Sequence, residues 1–348
     1  MSHGAAVGDA LAALAICVPA RDEGARLPRL FEGLERLAIP PGLPVHVCLL
    51  LDGCTDNSAA LAADYTRTSV HRLHVAALPR STANAGIARH TAMALGTAAL
   101  GREGGVLLST DADGWPAPDW LHATLAALRQ AELVAGDVVR SGARGDEAQD
   151  RIELYYAGLH ALRRRVDPVA WEAAATHHHA SGANMALHSA TYAALGGFEP
   201  LVSGEDARLV DDAARAGHRV RRDAASVVHT SARRHGRARG GLAAALRALD
   251  RDGLASVRVA HPLDQLWQYE RHALARRAFG AGDLGVLTPA IGLGADHLLG
   301  VARDCPNAEA FAMRVVPVGP EGMREVPLPL AERALAALFA AAAPARAA

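Results

Sequence analysis

Three short clusters carry most of the side chains in this sequence that could do chemistry. Asp111-Ala112-Asp113 closes the apolar run VLLST. Two carboxylates one residue apart at a strand end suit one hard divalent cation, with coordination positions left over for phosphate oxygens. Glu205-Asp206 opens a helical stretch. Carboxylates there face the positive end of the helix dipole. Val228-His229-Thr230-Ser231-Ala232-Arg233-Arg234 ends an apolar stretch with an imidazole, two hydroxyls and two guanidiniums. Taken alone, each cluster has a plainer reading as a polar turn, a dipole-favoured acidic pair or a solvated basic run. Together they place carboxylates, an imidazole, two hydroxyls and two guanidiniums at the ends of apolar stretches or the start of a helix.

The elements that must position these residues are legible in outline. The 348 residues are half hydrophobic, enough for one large α/β domain with an appendage or two modest domains. Apolar runs at LAALAICVP, Val45–Leu51, His71–Leu78 and Val106–Thr110 read as strands. Helical spacing fills the gaps at Pro28–Leu37, Thr55–Tyr65 and Ala83–Leu100. Strands separated by helices of this length mean βαβ units and a parallel sheet, whose ligands bind beyond the carboxyl ends of the strands. Ala20-Arg21-Asp22-Glu23, the Asp52–Asn57 segment and Asp111–Asp113 all fall at such ends. Further on, Glu132–Arg140 reads as a strand, Gln149–Arg165 and Gly204–Ala216 as helices, and a short strand ends at Val228. Segment 141–150 reads as a polar linker or surface loop, and the chain after Gly240 as helical and irregular. The expected organisation is 1–115 as one half of a domain, 116–240 as its second half, and 241–348 as a mostly helical extension.

Composition excludes several classes. A formal charge of −1 argues against a broad nucleic-acid or anionic-lipid face. Every basic residue is Arg, so no lysine can form a Schiff base or serve a P-loop. Four scattered cysteines form neither a disulfide framework nor a zinc ribbon, and the chain is expected in a reducing, cytoplasmic compartment. No apolar run is long enough to span a membrane, which leaves room only for peripheral contact. No GxGxxG follows a strand, which counts against dinucleotide sites.

In order along the chain stand VPARDEGARL, LLLDGCTDNSAALA, ANAGIARHTAMALG, LLSTDADGWPAPDWL, SGANMALHSATYAALGGFEP, GEDARLVDDAARAGHRV and VVHTSARRHGRARGG. With these elements the chain resembles the family 2 glycosyltransferases over roughly residues 14–240. The resemblance implies a GT-A fold, a Rossmann-like mixed α/β sheet flanked by helices. It also implies inverting transfer of one sugar from a nucleotide-diphosphate sugar to an acceptor hydroxyl, with Mn²⁺ or Mg²⁺. Pro19, Ala20, Arg21 and Glu23 would line the nucleotide pocket, Asp52 would meet the base, and Asp56 would support that loop. Arg89 could approach the diphosphate. Asp111 and Asp113, with Ala112 between them, would form the metal motif, and His229 would add a metal ligand or a diphosphate contact. Asp206 would be the base, with Glu205 beside it, and Arg233 and Arg234 would lie near the leaving group. Trp115 would stack on a sugar, Trp120 would pack in the core, and Gly196 and Gly197 would allow close approach to the donor sugar.

The resemblance has departures. Processive members carry transmembrane helices and a QxxRW motif; here Gln268-Tyr269-Glu270-Arg271-His272 has His in place of Trp. Two other readings compete: a non-catalytic nucleotide-sugar-binding protein, and a sugar nucleotidyltransferase. The first would be expected to have lost Asp206, Asp113 or His229, and the second would want a glycine-rich basic loop and a lysine. His177-His178-His179 reads as a solvated loop before it reads as a metal site. The acceptor, whether glycan, lipid-linked or small molecule, and the donor base are not legible.

Overall fold

The computed structural model describes residues 12–81, 83–141, 147–234, 241–319 and 322–341. Residues 1–11, 82, 142–146, 235–240, 320–321 and 342–348 lie outside the described residues, and with them much of the expected 141–150 linker and the basic run after Arg234. The chain divides into two compact units: residues up to 143 with 171–213 and 219–243, and residues 144–170, 214–218 and 244–348.

The elements run β1 (Leu14–Ala20), α1 (Leu27–Glu35), β2 (Val45–Asp52), α2 (Ser58–Thr68), β3 (Arg72–Leu78), α3 (Ala85–Leu100), β4 (Val106–Thr110), β5 (Trp115–Pro116), α4 (Trp120–Leu128), β6 (Leu133–Ser141), α5 (Glu147–Val166), β7 (Asn184–His188), α6 (Ser189–Ala194), α7 (Glu205–Arg215) and β8 (Val220–Ser231). After them come α8 (Leu242–Asp252), β9 (Arg258–Ala260), α9 (Pro262–Ala281), α10 (Thr288–Ile291), α11 (Ala295–Arg303), α12 (Ala308–Val315), β10 (Glu325–Pro327) and α13 (Leu328–Ala341).

The first unit is built on one mixed sheet in the order β3-β2-β1-β4-β7-β6-β8-β5. β1 runs parallel to β2 and β4, and β2 to β3. β7 then runs antiparallel to both β4 and β6. β2 is buried along its whole length, as its unbroken apolar run demands of a strand covered on both faces. Core residues from β1, β2 and β4 pack with α1 and α4, Trp120 included, on one face, and with α3 on the other. Cys17 and Cys48 are buried in it as small core residues. This is a mixed α/β sheet with flanking helices, as the resemblance implied. After β1 the chain returns to the sheet on one side through β2 and on the other through β4, so a crevice opens at their carboxyl ends.

The second unit is mainly helical, with a small antiparallel β9–β10 pair. Its two apolar clusters are centred on Phe311 and on Leu328 with Tyr155. Arg276 is half-buried between Asp167 and Glu309, so its charge is offset inside the unit. No helix among the described residues is long and apolar enough to cross a membrane.

In the first unit His177 is buried, and both ring nitrogens are engaged. One lies 3.1 Å from the Ala135 carbonyl, and the other accepts the His179 backbone N–H at 3.1 Å. Burial, then the neighbouring His179 and Arg222, push its pKa down to about 3. Its folded value lies below its unfolded one, so its contribution is complete above about pH 6.5 and is lost as the pH falls toward 3. His272 in the second unit, pushed down to about 4 by burial and by Arg276, acts with the same sign. The melting temperature is therefore expected to fall by several degrees between pH 7 and pH 4.5. In His177→Gln that slope should flatten, as thermal melts across this range would show.

Candidate active site

The crevice in the first unit holds a cleft of about 590 Å³. Its walls bring together segments spread through the sequence: Pro19 to Glu23 after β1, Asp52 at the end of β2, the start of α3, and Asp111 to Asp113 after β4. Ser181 and Ala183 before β7, Ser203 to Asp206 at the start of α7, and Thr230 to Arg233 at the end of β8 complete it.

The β1 and β2 ends are tied to one another. Asp22 takes a left-handed backbone, φ 51°, the only described non-glycine residue with a positive φ. Its carboxylate accepts the Thr55 backbone N–H at 2.7 Å and Arg80 at 2.9 Å. The Thr55 bond and then Arg80 hold its pKa down at about 2. Asp56 accepts the Gly24 N–H at 2.8 Å and the Ser58 N–H at 3.0 Å, supporting the same turn from below the cleft wall. Arg21 reaches Asp52 at 3.3 Å and also bonds the Ser81 carbonyl. An acceptor and a donor thus stand side by side on the cleft wall.

At the cleft centre the carboxylates are crowded. Burial first, then the charge of Asp111, raises the Asp113 pKa to about 6, against the pull of Arg233. Arg233 sits 3.1 Å from Asp113 and makes two bonds to Glu23, at 2.5 and 2.7 Å. A divalent cation between Asp111 and Asp113 would relieve the repulsion that now raises proton affinity, and two carboxylates are the hard oxygen donors it needs. The residues fit such an ion.

Arg89 occupies the other side. It is buried, 3.0 Å from Asp111 and 3.1 Å from Glu205. It also donates to Ser109 Oγ at 3.0 Å and to the Gly182 carbonyl at 2.8 Å. The Gly182 N–H in turn donates to Asp206 Oδ2 at 3.0 Å. Only glycine fits here, because a Cβ at 182 would lie 2.4 Å from the Arg89 guanidinium carbon. Gly182→Ala is expected to cost about 1–3 kcal/mol of stability, measurable by chemical denaturation, and to slow turnover.

Some expected residues stand elsewhere. Trp115, Gly196, Gly197, His229 and Arg234 do not line this cleft. The His229 ring stacks on Trp115 with centroids 5.4 Å apart, and the Arg29 guanidinium lies 3.3 Å from the Trp115 centroid. Trp115 instead walls a smaller recess of about 150 Å³ that shares Asp113 and Ser231 with the cleft. Gly196 and Gly197 both take positive φ in the turn after α6, where a Cβ on Gly197 would meet His90 at 2.6 Å. Arg234 donates to the Ala232 carbonyl. From the sequence Asp22 is only part of the polar cluster after the first strand, and Gly182, Ser109, Ser181 and Asn84 are given no role there. Of these four, Asn84 had a local signal, as the N-cap whose side chain accepts the Ile87 N–H.

The model of glycosyl transferase family 2 matches residues 15–188. The chain belongs to that family. The match includes the β1 end, Arg89, Asp111 and Asp113, while Asp206 and His229 lie beyond it. No curated protein sequence matches the chain. Among solved structures it is similar to S. aureus TarS 1–349 in complex with UDP-GlcNAc, at 14% identity, TM-score 0.48, covering 88% of this chain and 90% of that one. It is also similar to the mannosyltransferase PcManGT from Pyrobaculum calidifontis in complex with GDP-Man and Mn²⁺, at 17% identity, TM-score 0.49, covering 98% and 77%. A third likeness is to GalNAc-T7 with UDP, GalNAc and Mn²⁺, at 14% identity, TM-score 0.48, covering 89% and 59%. The family makes this chain a glycosyltransferase.

Proposed function

We propose that this glycosyltransferase moves one sugar from a nucleotide-diphosphate sugar to an acceptor hydroxyl with inversion, assisted by a divalent cation and in the cytoplasm. One observation carries the reading: a single cleft joins the Asp111/Asp113 pair to the Glu205/Asp206 pair, with the β1 and β2 ends beside them. Asp111 and Asp113 would hold Mn²⁺ or Mg²⁺. The chemistry such an ion supplies is charge stabilisation of the departing diphosphate. Arg233, held between Glu23 and Asp113, adds a fixed positive charge at the same end. Asp206 takes the proton of the acceptor hydroxyl as its oxygen attacks the anomeric carbon. The bond from that carbon to the diphosphate oxygen breaks on the opposite face, so one base suffices and the configuration inverts. Arg21 and Asp52 offer a donor and an acceptor to a base edge.

The His229 ring stacks on Trp115 and does not line the cleft. His229→Ala is therefore expected to change nucleoside-diphosphate affinity in Mn²⁺ by less than about threefold, a small loss against the tenfold that 1.4 kcal/mol represents. Calorimetric titration would check it, and a loss of tenfold or more would place His229 on the ion. The whole reading is tested by thermal shift against a panel of sugar nucleotides with and without Mn²⁺. A shift with at least one donor that needs the metal supports it, and no shift with any donor under either condition counts against it.

A further inference from the structure

A buried arginine has to be accounted for by its partners, because an unpaired guanidinium away from water is costly. Arg89 is only 8% exposed. Its NH1 and Nε groups are directed at four acceptors, and these are not a random set. Asp111 is the first carboxylate of the metal motif, 3.0 Å away. Glu205, 3.1 Å away, immediately precedes Asp206 on the first turn of α7. The Gly182 carbonyl, 2.8 Å away, belongs to the residue whose N–H holds Asp206 Oδ2 at 3.0 Å. Ser109 Oγ accepts from Arg89 and donates to that same carbonyl at 2.7 Å, closing the network. One guanidinium is thus bonded to a cation-side carboxylate and, through two routes, to the group on the acceptor side.

We propose that Arg89 is a positioning residue that fixes Asp206 relative to Asp111, and is not a ligand of the donor diphosphate. This rests on the reading of Asp206 as the base. Guanidinium geometry suits the task, because its planar fork holds several acceptors at set angles where an ammonium would act as a point charge. Misplacing a catalytic group by about 1 Å can cost on the order of 10²-fold in rate.

The test uses the full chain with Mn²⁺. UDP and GDP serve as binding probes in calorimetry, and slow hydrolysis of the sugar nucleotide found in the donor panel serves as the turnover assay, with water in place of the acceptor. The variants are Arg89→Lys, the charge-neutral pair Arg89→Gln with Glu205→Gln, and Ser109→Ala. The last loosens the network without removing a charge and is the variant expected to fold if the others do not. For Arg89→Lys and the charge-neutral pair kcat should fall about 10–100-fold, and for Ser109→Ala several-fold. Donor KM and nucleoside-diphosphate affinity should stay within about threefold, under half the free energy of a tenfold change. Placed in an Asp206→Asn background, the same changes should add little, because the group they position is already inactive. Affinity that weakens in step with kcat would overturn the proposal and make Arg89 a donor contact. Additive losses in a crippled Asp206→Asn background would also overturn it. Near-normal turnover by Asp206→Asn alone would instead remove the base reading, and with it the coupling claimed for Arg89.

Discussion

Asp206→Asn is expected to bind sugar nucleotide and Mn²⁺ as the native chain does, yet to transfer sugar about 10²–10⁴-fold more slowly. The substitution keeps the size of the side chain and removes its basicity. Asp206 accepts two backbone N–H groups, from Gly182 at 3.0 Å and Ala207 at 2.8 Å. The Asn carbonyl oxygen can keep one of these bonds, so the cleft should be disturbed only locally. Asp206 carries none of the contacts made by Arg21, Asp52 or Arg233, so donor affinity should hold. Steady-state kinetics beside calorimetry would separate the two effects. Near-normal transfer would refute the role. Equal loss of binding and turnover would move Asp206 into the donor site and leave Glu205, 4% exposed and bonded to Arg89, as the next carboxylate to test.

Asp113→Ala is expected to abolish metal-dependent nucleotide binding, with affinity in Mn²⁺ falling at least about 10²-fold, beyond what loss of a supporting residue around a metal costs. The fold should survive. Asp113 sits in a turn after β4, and Arg233 would keep its two bonds to Glu23. Burial and the neighbouring Asp111 charge also raise the Asp113 pKa to about 6, so in the metal-free protein its ionised carboxylate is disfavoured by the fold at neutral pH. Its removal should leave the melting temperature of that form unchanged or slightly higher. A fall of many degrees would mean that Asp113 is structural.

The parallel half of the sheet was readable because buried parallel strands leave long apolar runs and put their polar turns at one rim. Arg21, Asp52 and Asp111 therefore fall on one edge from the sequence pattern alone. β7 was read only as an apolar segment after a loop, since HHHASGAN precedes its few apolar residues. β8 is longer than the short strand expected. Arg221, Arg222 and Asp223 interrupt its alternation, and a register shift opposite Gly136 and Asp137 accommodates the irregularity. α2 starts at Ser58, after the expected Thr55, because Asp56 is spent on Gly24 and on the Ser58 N–H. The three-residue strands of the β9–β10 pair lie too far apart in sequence to leave a local signal. The Arg89–Glu205 and Arg89–Gly182 bonds span 116 and 93 residues, and no spacing rule reaches that far. The diphosphate role of Arg89 is what the resemblance implies, and its bonds to Glu205 and Gly182 are what the structure adds. The partner of His229 was hidden for the same reason, since Trp115 meets it only through the β5–β8 pairing.

The central claim is metal-dependent sugar transfer at the cleft that joins the two acidic pairs. The most direct measurement is release of nucleoside diphosphate from a panel of sugar nucleotides, followed in Mn²⁺ and again after EDTA. The account predicts release from at least one donor in Mn²⁺, stopped by EDTA and absent in Asp113→Ala. Release that continues undiminished in EDTA, or in Asp113→Ala, would contradict it.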